Sequence, residues 1–532
     1  MRWGAFAIRV RDDGAGFSLL HGEDAWADFE LVGLSPTGRF TDDADEVEHG
    51  FTLGDAICTV RHTVGDAWTM RWALRASEAP VAGDGDGNPG SGDGSHFGSG
   101  DGSDVGSSLD PGAVRGDGSF GPSSAELGDD AEPRSPAPKT GVHRNALPAP
   151  PRLRVSPTAG HVAWAWAAGA EGLIAIAPSG RPAPVVGLRL TQGWLEDADG
   201  GFALAPSDLT LTPGRRWVGT LRADLYPSMD GLGARLPRWL PPLELSAGQP
   251  WEFREPDQAL VVTPPVTTHA EGDVVQVIAD AGRVGVRVHS PRGLTSLVLS
   301  FAPQWDALLA AGAARVLRGQ EPITPAGAFV IAEALGRALI SEPSAAERLL
   351  DARDWSQHPD LLTIATGIVR GQRSGNARMV RTALRRLSLV HPQLGYGRVV
   401  MAAWLAMLAL GEDTGDDALG LLSRPSGSEW VALELNVLHL RSPEVSGGAF
   451  SGLINALGGD LPGDPVGMDA VRQAQLVGLL QLCPEEWPMA QAASVCTTKN
   501  SRRLLAGVAA SNFGRPEDLD VLAWLALGQS LV

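Results

Sequence analysis

Four tryptophans in the C-terminal half of the chain sit beside an acid: Trp305–Asp306, Asp354–Trp355, Glu429–Trp430 and Glu486–Trp487. An indole face packs well against the C–H face of a sugar ring. Glycosidic-bond chemistry uses two carboxylates, about 5–5.5 Å or about 6.5–9.5 Å apart. Asp354 and Glu429 fall near expected helix starts and are the candidate catalytic carboxylates. Trp355 and Trp430 are the candidate substrate-binding rings. Each has a plainer alternative. Glu429 fits a capping box with Ser426, Asp354 fits a turn, and any tryptophan fits a core. The chain holds 16 Trp against 2 Tyr, which keeps the sugar reading in play.

Other chemistries lose their usual flags. Lysine occurs only at Lys139 and Lys499, neither in a GxxxxGK[ST] loop or a kinase-type strand, and Schiff-base lysine chemistry is set aside with these classes. GxGxxG appears at Gly85/Gly87/Gly90 and Gly116/Gly118/Gly121, without the strand before and helix after that a dinucleotide loop needs. Asp84, Asp86 and Asn88 begin like a calcium loop, but Pro89 and Ser95 break the pattern. HExxH, GxSxG, CxxC and DFG are absent. Three cysteines (Cys58, Cys483, Cys496) make no disulfide framework or zinc ribbon. His62, His161 and His289 fall in strand patterns and read as partly buried packing residues. No cofactor and no metal is expected.

The formal net charge of −19 argues against a nucleic-acid partner and against a polybasic membrane anchor. The N-terminus alternates and offers no signal-peptide core, and the apolar run Val399–Leu410 is too short to span a bilayer. A cytoplasmic location is expected, and that apolar run reads as a helix inside a layered domain.

These residues must be positioned by two kinds of element. Stretches such as "AICTVRHTV", "WTMRWALRA", "HVAWAWAAG", "RVGVRVHS" and "LTSLVLSF" show strand periodicity or strand-length apolar runs. They predict an antiparallel β-sandwich over 1–80 and 150–303. Residues 81–149 are rich in Gly, Ser, Asp and Pro and read as a disordered insertion. Its flanks, "WTMRWALRA" and "RLRVSP", are expected to be neighbouring strands, and deletion of roughly Gly83–Ala146 is expected to leave folding nearly unchanged. A linker helix over 304–318 follows. Residues 319–532 then read as an all-helical toroid or solenoid, giving roughly thirteen helices from Trp305 onward. Expected starts lie at Thr324–Pro325, Ser344 to Glu347, Ser426 to Glu429, Asp464–Pro465 and Arg515–Pro516–Glu517. In "NARMVRTALRRLSLV", Met379, Val380, Ala383, Leu384 and Leu387 form one apolar face.

A β-sandwich, a linker helix and about twelve short helices resemble the layout of glycoside hydrolases and phosphorylases that join a β-supersandwich to an (α/α)6 toroid, as in bacterial glucoamylases and disaccharide phosphorylases. The resemblance implies a carbohydrate-active protein, glycosidase-like or a non-catalytic relative binding oligosaccharide, with a carboxylate on the toroid as general acid. It rests on layout, so no family residue carries over. The alternative is a non-enzymatic scaffold that holds a protein partner in a helical groove. Contact between "RPEDLDVLAWLALGQSLV" and "PAGAFVIAEALGRAL" would mark a closed array. The expected partners are thus an oligosaccharide or a protein, with no nucleic acid and no membrane.

Overall fold

A computed structural model describes residues 1–77, 145–147, 149–180, 184–254, 259–262, 266–290, 292–319, 323–352, 360–440 and 443–529. The glycine-rich and calcium-like motifs of the insertion lie outside these residues.

The strand half is built in three layers. The middle layer runs, in order of hydrogen bonding, Ser35–Asp42, Glu46–Leu53, Ala56–Val64, Trp68–Ala76, Arg216–Tyr226, Val185–Gln192, Gly172–Pro178 and His161–Gly169. On one side lie Phe6–Val10, Gly16–His21, Asp24–Val32, Arg152–Pro157, Gly201–Ala203 and Leu195–Ala198. On the other lie Ala259–Val262, Gly282–Ser290 and Gly293–Ala302, with Glu244–Ser246 alongside in parallel.

Side-chain alternation explains why the central strands are apolar on both faces. Ile174 and Ile176 enter one core with Trp26, Trp68 and Trp72, while Leu173, Ala175 and Ala177 enter the other with Trp164 and Trp251. His161–Gly169 also changes layers: its last residues pair with Leu195–Ala198 and with Thr295. Gly169 makes that crossing with φ of +85°, and a Cβ there would meet the Leu294 carbonyl at 2.6 Å.

The insertion's flanks are not neighbours. Trp68–Ala76 pairs with Ala56–Val64 and Arg216–Tyr226, whereas Arg152–Pro157 pairs with Asp24–Val32 and Gly201–Ala203. Both are therefore interior strands, in different layers. Asn145–Ala146 also pairs with Thr210–Leu211, so a deletion reaching Ala146 would remove native pairing.

From Trp305 onward the described residues form twelve helices. Thr324 caps Pro325–Gly336 as expected, its hydroxyl accepting from the Gly327 amide at 3.1 Å. The two capping boxes do not form. Ser344 lies inside the helix Pro343–Asp351, and Glu347 pairs with Arg370 and Arg373 instead. Ser426 accepts from the Ser428 amide, and Glu429 is already the first helical residue. Asp464–Pro465 starts no helix; it is a two-residue strand on His161–Gly169.

The helix Tyr396–Ala409 is not buried all round, since Leu405 and Leu408 are each 45% exposed. An apolar sequence does not require an apolar surrounding. The last helix, Asp518–Gln529, is buried along most of its length and packs against Pro325–Gly336 and Trp305–Arg318, and also against Ala470–Leu480 and Ala490–Ser511. Strands and helices together form one compact unit over Met1–Ser77 and Asn145–Val532. Among the described residues no helix is long and apolar enough to cross a membrane.

Candidate functional site at the sheet–helix seam

The 22-residue helix Ala490–Ser511 packs on Glu244–Ser246, Gly282–Ser290 and Gly293–Ala302. Residues three and four apart share a helix face. Here that face carries Cys496, Lys499, Asn500 and Arg503, all buried. Polar side chains in a buried seam need partners. Arg503 Nη2 donates to Asn500 Oδ1 at 2.7 Å and to Gln473 Oε1 at 3.1 Å, and Nη1 donates to the Gly463 carbonyl. Its Nε lies 3.1 Å from Asp464 Oδ1, and its guanidinium sits 5.0 Å over the Trp164 ring.

Arg503 thereby fixes the loop that bears Asp464. Asp464 and Pro465 pair with Ala165 and Trp164, and Trp164 Nε1 donates to the Pro462 carbonyl at 2.9 Å. Gly463 allows this docking. Its φ is +104°, and a Cβ would lie 2.1 Å from the Ala165 carbonyl oxygen.

A cavity of about 600 Å³ opens beside this loop. Three carboxylates line it: Asp197 from one outer layer, Glu244 from the other, and Asp464 from the helical region. Arg154, Arg283 and Arg503 face them, and Trp166 and Phe202 supply ring surface. Burial pushes the Glu244 carboxyl above its usual range, Asp464 adds to the push, and Lys499 and Arg503 oppose it. Asp197 is raised by burial and by the neighbouring Asp464 and Glu196. Burial lowers the Arg283 guanidinium, with Arg503 and Arg515 lowering it further and Asp464 opposing. The cavity thus joins an acid inclined to keep its proton, an exposed carboxylate on a fixed loop, and guanidiniums that bind oxygen-rich ligands.

Of the residues expected from sequence, Glu429 and Trp430 lie elsewhere. Asp354 and Trp355 are outside the described residues. Glu429 Oε2 accepts from Ser179 Oγ at 2.9 Å and ties its helix to the end of Gly172–Pro178. Trp430 is buried in the core of the helical region. Neither Glu429 nor Trp430 lines the cavity. Asp306 takes a hydrogen bond from Arg337 at 3.3 Å, and Trp487 packs edge-on to Phe450. His62 is fully buried, stacked on Trp68, rather than partly buried. Among the described residues no cluster of three or more His, Cys, Asp or Glu is placed to hold a metal.

No family model and no curated protein matches the chain. Among solved structures it is similar to a polysaccharide lyase, with 10% identity, a TM-score of 0.49, and coverage of 95% of this chain and 82% of that one. No residue and no substrate is carried over from that likeness.

Proposed function

We propose that the seam cavity binds an oligosaccharide and that the protein is carbohydrate-active, glycosidase-like or a non-catalytic relative. One observation carries this reading: three carboxylates, three arginines and the Trp166 ring face a single cavity large enough for a small saccharide. In the catalytic form of the proposal, Glu244 is the proton donor to the leaving oxygen, because burial favours its neutral form. Asp464 is the opposing carboxylate, held toward the cavity by Arg503. Arg283 and Arg154 bind sugar hydroxyls or carboxylates, and Trp166 packs on a ring face. Glu429 is left out because its carboxylate is engaged by Ser179.

The test is a binding and turnover screen against α- and β-glucans and disaccharides, with and without phosphate, repeated with Glu244→Gln and Asp464→Asn. Turnover lost in both variants, with binding weakened but still measurable in each, supports the enzyme. Binding without turnover in the wild type supports the non-catalytic relative. A flat response to every saccharide removes the proposal and favours the scaffold.

A further inference from the structure

A second cavity, of about 480 Å³, shares Leu243 and Glu244 with the first. Leu236, Leu240 and Val495 give it an apolar wall, and Lys499, Arg502 and Asp460 give it a polar end. Lys499 Nζ donates to the Leu461 carbonyl at 2.6 Å and sits 4.8 Å over the Trp164 ring. The charged and titratable groups facing it are Cys496 and Arg503 on its own helix, Glu244 on the sheet and Asp460 on the preceding loop. Arg502, three residues on, shares that side of the helix.

Burial, helped by Arg503, brings the Lys499 amine down to about 8, against the opposing pull of Cys496, Glu244 and Asp460. At pH 7 that leaves about 300-fold more neutral, nucleophilic amine than an ordinary lysine has. Asp460 and Glu244 are both raised by burial. The Lys499 amine and the carboxyl groups of Asp460 and Glu244 line one enclosure with Arg502, a nucleophile beside groups that can pass protons, the combination that imine formation needs.

We propose that the second cavity is a carbonyl-capture site, in which the Lys499 amine condenses with a small 2-oxo acid whose carboxylate rests on Arg502. The Nζ lone pair forms the N–C bond to the carbonyl carbon, and the carbonyl oxygen takes up a proton that the nitrogen releases. The carbinolamine C–O bond then breaks as a carboxyl of Asp460 or Glu244 gives that oxygen a second proton. Water leaves, an imine remains, and the carboxylate recovers its proton from the nitrogen. No oxidant or reductant is consumed. The inference does not depend on the oligosaccharide reading.

The chain makes the test clean, because its only amines are Lys139, Lys499 and the terminus. The folded full-length protein is incubated with pyruvate and cyanoborohydride, which reduces an imine to a stable adduct, and is then mapped by peptide mass spectrometry. The expected result is an adduct at Lys499 formed at least about tenfold faster than at Lys139 at pH 7, with a rate that levels off above pH 8. Arg502→Met should raise the pyruvate concentration required while leaving labelling by acetaldehyde unchanged. Adducts confined to Lys139 and the terminus would overturn the proposal, as would equal sensitivity of pyruvate and acetaldehyde to Arg502→Met. The oligosaccharide screen is unaffected by either result.

Discussion

Arg503 and Asp464 form an ion pair whose two halves do different things, and single substitutions should separate them. Arg503 is 6% exposed and Asp464 64% exposed at the side chain. Arg503→Met removes the donor to three other acceptors: Asn500 Oδ1, Gln473 Oε1 and the Gly463 carbonyl. Asn500 is fully buried and Gln473 nearly so. Each buried acceptor left without a donor costs about 1–3 kcal/mol, so the sum is about 3–5 kcal/mol after partial relaxation. Asp464→Asn instead removes a charge that water already solvates, at a cost of about 0.5 kcal/mol. The assay is urea unfolding followed by tryptophan fluorescence, with a double-mutant cycle on the pair. The expected coupling is below about 1 kcal/mol. Asp464→Asn should nonetheless weaken saccharide binding or turnover, because its carboxylate lines the cavity. Equal destabilisation by both variants would refute the reasoning, since the ion pair itself would then hold the seam.

Three further outcomes follow from the same geometry. Burial, with a smaller push from His49, holds His62 at about 3 against the usual 6.5 of a histidine, and neither ring nitrogen has a hydrogen-bond partner among the described residues. The unfolded chain therefore takes up the proton first, so stability present above pH 6.5 falls as pH drops toward 3. The loss between pH 7 and pH 4.5 should be about 3 kcal/mol, and His62→Phe should flatten that slope in acid unfolding curves. Gly463→Ala should cost more than about 2 kcal/mol in urea unfolding and lower saccharide affinity, because φ of +104° and the Ala165 carbonyl both oppose a Cβ. Glu434→Gln should lower the unfolding free energy measured in urea by about 3–5 kcal/mol. That carboxylate is fully buried, lies 3.1 Å from Arg398 Nε, and also accepts from the Gly395 and Arg398 amides.

Strand and helix placement was legible in the sequence wherever periodicity was strong. "AICTVRHTV" and "WTMRWALRA" fall on Ala56–Val64 and Trp68–Ala76, and Thr324–Pro325 caps its helix. Pairing was not legible, because the partners of Arg152–Pro157 lie far away in sequence and in another layer than those of Trp68–Ala76. Asp464–Pro465 has the residue types of a helix start, yet the backbone partner offered by Ala165 and Trp164 makes it a strand. The seam carboxylates escaped for the same reason: Asp197, Glu244 and Asp464 are brought together only by tertiary packing. One local signal was available. Cys496, Lys499, Asn500 and Arg503 recur at helical spacing, a polar stripe on a long helix whose other residues include Leu504, Leu505, Ala506 and Val508. Read as a buried face, that stripe points to the seam.

Calorimetric titration of the wild type, Glu244→Gln and Asp464→Asn with an oligosaccharide panel, neutral and uronic, tests the central claim most directly. The predicted result is saturable binding of at least one saccharide class by the wild type, weakened about tenfold or more in both variants while their melting temperatures stay close to the wild type. Absence of binding across the panel, or binding indifferent to both carboxylates, would contradict the assignment of the seam cavity.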